Sequence, residues 1–197
     1  MNWLQPVTLS GEAVTLESLG PQHCANLQDA VRDGELWSLW YTTIPRPEDM
    51  SAEIERRLSL QRSGSMLPFA AVERSTGMAV GMTTYMNVDA ANRRLEIGST
   101  WYRKRVQRTA LNTESKILLL THAFETLGSI AVEFRTSSFN FQSRRAIERL
   151  GAHLDGVLRS HMRHQNGTVR DTYVYSIIAS EWPAVKMHLT AALERSG

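Results

Sequence analysis

The sequence of 197 residues contains a single cysteine, Cys24. It cannot form an intramolecular disulfide, and it lacks the pair of thiolates on which many zinc sites depend. Such sparing use of cysteine is typical of proteins in a reducing compartment. We therefore expect a cytoplasmic protein without a bound metal.

Long hydrophobic runs and an excess of one charge are also absent. The apolar runs are far shorter than a membrane span, and the start, Met1–Pro6, lacks the basic and apolar regions of a signal peptide. Lys and Arg number 22 and Asp and Glu number 20, which gives a formal charge of +2. This balance disfavours a dedicated nucleic-acid-binding protein, because such proteins carry a broad basic face. We expect neither a membrane nor a nucleic acid as partner.

No repeat, low-complexity tract or linker-like stretch divides the chain, so we expect residues 1–197 to form one domain. Hydrophobic periodicity and turn residues predict the order β-α-α-β-β-β-α-β-α-β-β-α. The predicted strands cover residues 13–19, 67–73, 78–87, 94–102, 130–136, 153–164 and 168–178. The predicted helices cover residues 20–31, 47–63, 113–127, 140–150 and 181–195, with a short additional helix over 34–40.

The predicted order also indicates how the strands pair. The central strand–helix–strand unit implies one parallel pair, whereas the hairpins imply antiparallel neighbours, the last of them joined at Asn166-Gly167. The predicted fold class is therefore α/β, with a mixed, mostly antiparallel twisted sheet and helices on both faces.

A basic loop precedes the predicted helix 113–127. Its cationic residues are Arg103, Lys104, Arg105 and Arg108. A helix N-terminus presents unpaired amides and a positive dipole end, so a diphosphate could bind there to the backbone with help from these side chains. The alternative is a solvated basic loop in which Asn112 caps the helix, and charge and spacing alone do not decide between the two.

The loop Gln107-Arg108-Thr109-Ala110-Leu111-Asn112 resembles the (Gln/Arg)-x-x-Gly-x-(Gly/Ala) cofactor loop of the GNAT superfamily of acetyltransferases. Its continuation to Lys116, together with Asn140–Ser143 and Ala146–Gly151, resembles the branch that includes the ribosomal-protein N-terminal acetyltransferases. The resemblance extends over about residues 13–178. Ala110 stands where glycine is usual and Asn112 where glycine or alanine is usual; if position 110 needed a positive φ, alanine would cost about 1 kcal/mol.

The resemblance implies a GNAT-like domain in which acetyl-CoA lies in a V-shaped gap between the strand ending near Tyr102 and the parallel strand 130–136. It implies direct transfer of the acetyl group to a primary amine, on a protein N-terminus or a small molecule, without an acyl-enzyme. Backbone amides of residues 99–102 are the expected oxyanion donors. The residues that the resemblance assigns to the cofactor are Ser99, Thr100, Trp101, Tyr102, Gln107, Arg108, Thr109, Ala110, Leu111, Asn112, Thr113, Asn140 and Ser143.

Direct transfer also needs a base for the amine and an acid for the leaving thiolate. Strand alternation places Glu96, Gly98, Thr100 and Tyr102 on one face and Leu95, Ile97, Ser99 and Trp101 on the other. Glu96 is the first candidate for the base, and a cross-strand ion pair with an arginine is the alternative interpretation. Ser143, at the position of a family serine, is the candidate acid, although a serine near a helix start often bonds the local backbone.

Other candidates have a structural alternative. Tyr173 could serve as a proton donor instead of Ser143, and burial is its simpler explanation. Asn140 could bind the pantetheine amides or merely cap its helix. Trp37, Trp40 and Tyr41 could form an aromatic wall at the acceptor site, which this region borders in the resembling family, or belong to the core.

Two competing functions remain open at this point. One is a CoA-binding sensor without catalysis, and the other is nucleic-acid binding through residues 103–108, which the balanced charge disfavours. The sequence leaves the acceptor, the acyl chain length and the oligomeric state, including a homodimer, undetermined.

Overall fold

A computed structural model describes residues 3–195; the first two and last two residues of the expected domain lie outside this range. The strands are β1 (Leu9–Ser10), β2 (Val14–Ser18), β3 (Met66–Glu73), β4 (Met78–Asp89), β5 (Arg94–Tyr102), β6 (Ala131–Ser137), β7 (His153–Arg163) and β8 (Val169–Ile178). The α-helices are α1 (Cys24–Arg32), α2 (Met50–Arg62), α3 (Ala110–Thr121), α4 (Phe141–Arg149) and α5 (Trp182–Glu194). The predicted element order is confirmed, with the short strand β1 added at its start.

The strands form one eight-stranded sheet in the order β1-β2-β3-β4-β5-β6-β8-β7. Neighbours are antiparallel except β5 and β6, which run parallel. This parallel pair is short, because Arg94–Glu96 pair with Ala131–Glu133 and the two strands then separate. The expected mixed sheet with one parallel pair and a V-shaped gap is thus confirmed.

Helices cover both faces of the sheet because both faces carry apolar side chains. On one face, α1 and α2 bury Leu27 and Ile54 against Met82 of β4. On the other, α3, α4 and α5 enclose a larger core that includes Leu120 of α3 and Phe134 of β6. In the described part of the chain, no helix has the length and apolarity needed to cross a membrane.

Two predicted helices differ from the structure. The helix expected over 34–40 is only a 3-10 turn, Leu36–Ser38, because Gly34 and Glu35 both adopt positive φ, 94° and 48°, which an α-helix does not accommodate. The long helix α3 begins three residues before the predicted position. Its N-cap is Thr109, whose side chain accepts a hydrogen bond from the Leu111 amide, so the prediction of Asn112 as cap is wrong.

A β-bulge in β5 changes which side chains face the site. Between two paired positions β5 contains one residue more than β4, and Ser99 lies in this stretch with a φ of 46°. The extra residue moves the following side chains to the opposite face. Tyr102 therefore packs in the α3–α5 core and Trp101 in the α1–α2 core. The predicted alternation holds up to Gly98 and is reversed beyond the bulge.

Candidate functional site

The separation of β5 and β6 opens a cleft of about 1420 Å³. One side consists of β5 and the start of α3, and the other of β6 and α4. The second half of α5 and the loop between α1 and α2 contribute the remaining lining. Of the predicted cofactor residues, those that line this cleft are Ser99, Thr100, Trp101, Tyr102, Gln107, Arg108, Thr109, Ala110, Asn112, Thr113, Asn140 and Ser143. Leu111 is instead buried in the core beneath α3.

β5 presents a free main-chain edge to the cleft. Its pairing with β6 ends at Glu96, so residues 97–102 have no partner strand on that side. The bulge at Ser99 lies within this edge, and a bulge leaves backbone N–H and C=O groups outside the regular ladder. The Ser99 carbonyl already accepts from the Arg57 guanidinium group at 3.4 Å, so the main-chain amides of this edge are the groups that a ligand in the cleft could meet.

The start of α3 presents a second set of free backbone donors. Arg108 adopts a φ of 64° immediately before the N-cap, and within residues 3–195 the amides of Arg108, Thr109 and Ala110 donate to no acceptor. Gln107 anchors this turn to β5, because its side-chain Nε2 donates to the Tyr102 carbonyl at 2.8 Å. The left-handed residue is therefore Arg108 and not Ala110, and alanine at position 110 causes no strain.

Of the basic side chains in the loop, only that of Arg108 lines the cleft. Arg103 lies 3.2 Å from an Asp33 carboxylate oxygen, and Arg105 donates to both carboxylate oxygens of Glu73. These hydrogen bonds lower the pKa of Glu73. We expected all four basic side chains of the loop to help bind an anion. In the structure, only Arg108 and the backbone amides are placed to do so.

α4 contributes two predicted residues to the cleft. The Asn140 side chain caps the helix by accepting a hydrogen bond from the Ser143 amide at 3.0 Å. The Ser143 hydroxyl makes no hydrogen bond to the residues that the structure describes, and Ser143 lines the cleft. Asn140 thus has the capping role, whereas the Ser143 hydroxyl is free to meet a ligand.

Glu96 occupies the last paired position of β5 and β6, on the face opposite α3, and it is not among the residues that line the cleft. The residue is only 4% exposed, and Asn87 donates to its Oε2 at 2.7 Å. Arg135 Nε lies 3.6 Å from the same oxygen. Burial raises the pKa of Glu96, and the Asn87 hydrogen bond and the charge of Arg135 only partly oppose this. The arginine neighbour expected under the ion-pair interpretation is present, and the raised pKa suits a proton acceptor.

Tyr173 is outside the lining of the cleft. Its ring stacks under the guanidinium group of Arg144, whose Cζ lies 4.0 Å from the ring centroid, and beside Tyr175. Packing therefore occupies the ring face of this tyrosine.

The predicted aromatic wall is divided between three environments. Tyr41 lines the cleft, whereas Trp37 packs against the α1–α2 core. Trp40 is 45% exposed and contacts the rings of Tyr41, Phe139 and His164. The sequence did not indicate that Phe139 and His164 meet Trp40, because the three residues come from loops far apart in the chain.

Lys116 is a cleft residue that the sequence interpretation missed. Its side chain lines the cleft although the residue is only 7% exposed. Burial lowers its pKa to about 7. A signal was present, because helical spacing places a residue three positions after Thr113 on the same side of α3.

No group of three or more His, Cys, Asp or Glu side chains within residues 3–195 is arranged to hold a metal ion.

A profile of the acetyltransferase (GNAT) domain matches residues 13–153. A Bacillus subtilis (strain 168) protein named as a ribosomal N-acetyltransferase, YdaF, is 33% identical over 110 residues, which are 56% of this chain and 59% of that protein. The match therefore spans less than two thirds of that relative.

Solved structures share the fold over nearly the whole chain. A GCN5-related N-acetyltransferase from Brucella melitensis is 31% identical, with a TM-score of 0.87 over 96% of this chain and 86% of its own. Mycobacterium smegmatis RimJ, in complex with CoA-disulfide, is 21% identical, with a TM-score of 0.81 over 95% of each chain. Because the domain profile covers most of the chain, this protein belongs to the GNAT family of acetyltransferases.

Proposed function

We propose that the protein is an acetyl-CoA-dependent N-acetyltransferase in which a primary amine attacks the acetyl thioester directly, within a ternary complex. The observation that carries this proposal is the cleft itself. It brings the free main-chain edge of β5 and the free amides before α3 to the same cavity, one suited to an acyl group and the other to a diphosphate.

The residues present fit coenzyme A at the diphosphate end. The three free amides from Arg108 to Ala110 lie at the positive end of α3, and a helix N-terminus is suited to an anion. The Arg108 side chain adds a charge at the same place. RimJ, which shares the fold, contains a coenzyme A disulfide in its structure.

At the other end, the β5 edge would bind the acyl part of the cofactor. Acetyl-CoA supplies an activated acetyl group, and attack by an amine places negative charge on the thioester oxygen. Main-chain donors near Ser99 would be held in place before the reaction begins, and such preorganised donors stabilise the charge without a rearrangement.

Proton transfer would depend on two side chains. Glu96, with its raised pKa, would take the proton of the amine, directly or through a water molecule. The Ser143 hydroxyl would donate a proton to the leaving thiolate, since it lines the cleft. Tyr173 is the alternative donor and would first have to leave the Arg144 guanidinium group.

The acceptor would approach on the face of Glu96, past Tyr41 and the exposed ring of Trp40. A protein N-terminus is one class of acceptor, in line with the name of the Bacillus relative, and a small primary amine is the other. The Asn87 and Arg135 contacts of Glu96 favour one competing function, a CoA-binding sensor in which Glu96 is structural.

The test is a thiol-release assay on the purified protein with acetyl-CoA and a panel of amines and N-terminal peptides, run beside calorimetric titration with CoA. We expect binding of CoA and amine-dependent release of its thiol. Binding without release on any acceptor would identify the sensor, and absence of binding would reject both functions.

A further inference from the structure

Lys116 on α3 is buried without a charged partner. It makes no ion pair with any carboxylate in the described part of the chain, and the nearby Glu114 instead accepts hydrogen bonds from the amides of residues 12–14. An ammonium group removed from water without a counter-ion costs free energy. The residue is therefore unfavourable for folding, and an apolar side chain of the same length would be more stable there.

The Nζ of Lys116 contacts two neighbouring strands at the bulge. It donates to Thr100 Oγ1 of β5 at 3.0 Å and to Thr83 Oγ1 of β4 at 3.4 Å. The two hydroxyl groups are themselves 2.8 Å apart. Thr83 lies opposite the extra residue of β5, because its neighbours Met82 and Thr84 pair on either side of it.

This arrangement holds an irregular part of the strand in one shape. A bulge has fewer ladder hydrogen bonds than a regular strand, so its conformation depends on side chains that tie it to neighbouring elements. Thr100 directly follows Ser99, whose backbone is left-handed, and its hydroxyl group accepts a hydrogen bond from Lys116 of α3. α3 is also the helix whose start presents the free amides, and Lys116 lies six residues along it.

We propose that Lys116 is a positioning residue that acts through Thr100 to hold the β5 bulge in the shape that presents its main-chain donors to the thioester. The inference rests on the proposed acetyl transfer. Burial of Lys116 lowers the stability of the fold. In return, its hydrogen bond to Thr100 fixes the main-chain donors of β5 where negative charge develops on the thioester oxygen. A displacement of such groups by about 1 Å can cost 100-fold in rate.

The test compares Lys116→Met with wild type in kcat, in the dissociation constant of CoA and in melting temperature. We expect kcat to fall about 10- to 100-fold, CoA affinity to stay within about threefold and the melting temperature to rise. Lys186→Met is the matched control, because Lys186 is a half-exposed lysine on α5 that pairs with Glu125. It should leave kcat unchanged.

The route through Thr100 has its own variants. Thr100→Val should lower kcat as Lys116→Met does, and Thr100→Ser, which keeps the hydroxyl group that Lys116 bonds, should lower it less. The double variant Lys116→Met/Thr100→Val should be no slower than Lys116→Met alone. These variants also decide the matter if Lys116→Met does not fold. Wild-type kcat in Lys116→Met or in Thr100→Val, or additive losses in the double variant, would overturn this inference alone. A wild-type protein that acetylates no amine would overturn the proposed function as well.

Discussion

At the scale of single residues, Glu96 is either a general base or a structural ion-pair partner of Arg135. The two interpretations predict opposite effects on stability when its carboxylate is removed. A structural ion pair with Arg135 would lower the pKa of the carboxyl group, whereas burial raises it. A group with a raised pKa in the folded state contributes most to stability at low pH, and this contribution is lost as pH rises through the folded pKa. The charged form of Glu96 is therefore a cost to the fold.

The first prediction concerns Glu96→Gln, which keeps the volume and removes the base. We expect kcat to fall by about 10²–10⁴-fold, with the deficit shrinking at high pH because free amine becomes abundant. Melting temperature at pH 7 should not fall, since the neutral amide is spared the desolvation of a carboxylate. The measurement pairs pH–rate profiles with melting curves on both proteins. Full activity in the variant would remove Glu96 from the mechanism, and lower stability with normal turnover would make it structural.

The second prediction concerns the side chain of Arg108. Arg108→Glu reverses a charge beside the free amides, and it should weaken CoA binding by about tenfold, or about 1.4 kcal/mol, without a change in melting temperature. Lys104→Glu is the control, because Lys104 is exposed in the same loop and outside the cleft lining. The two affinities are measured by titration calorimetry. Equal affinities would assign the diphosphate to the backbone amides alone.

At the scale of elements, the regular parts of the chain were predictable and the irregular parts were not. The bounds of β5 follow from hydrophobic periodicity. α3 continues as a π-helical turn, His122–Thr126, and the end of this turn follows from Gly128, which has a φ of 64°. The bulge at Ser99 had no such signal, because a serine in a β-rich run gives no reason to expect a φ of 46°. The bulge depends on tertiary contacts, including that of Lys116 with Thr100, which local sequence cannot reveal.

The candidate site shows the same division. The loop before α3 lines the cleft, and its position between a strand and a helix is a local feature that the sequence reveals. Its role in cofactor binding stays a prediction. The choice of cap was wrong since Thr109 and Asn112 are both favoured caps three residues apart. Lys116, Phe139 and His164 were missed as site or near-site residues because the fold alone brings them to their neighbours.

The third prediction tests the cap of α3. Thr109→Ala removes the hydroxyl that accepts from the Leu111 amide and should lower the free energy of unfolding by about 1 kcal/mol. Asn112→Ala removes a side chain inside the first turn and should cost less. Urea denaturation of the two variants and wild type measures the difference. A larger loss for Asn112→Ala would contradict the observed start of the helix.

At the scale of the whole molecule, the sheet consists of two parts joined by a short seam. β1–β5 carry α1 and α2 on one face, and β6–β8 carry α4. Only three residue pairs of β5 and β6 join the parts within the sheet, and α3 packs against α5. The cleft lies at this seam, so a ligand that fills it contacts both parts at once.

The fourth prediction follows from this geometry. A ligand that binds the folded state alone stabilises it, by about 2.7 kcal/mol at a concentration of about 100 times its dissociation constant. Acetyl-CoA and CoA should therefore raise the melting temperature of the wild type. Pantetheine, which lacks the diphosphate, should raise it much less at the same concentration, because it leaves the amides before α3 without their anion. Arg108→Glu should need a higher CoA concentration than wild type for the same shift.

Scanning calorimetry over a concentration series of each ligand distinguishes these cases. No shift at millimolar acetyl-CoA would reject the cleft as the cofactor site. An equal shift with pantetheine would show that the edge of β5, and not the start of α3, provides most of the binding free energy.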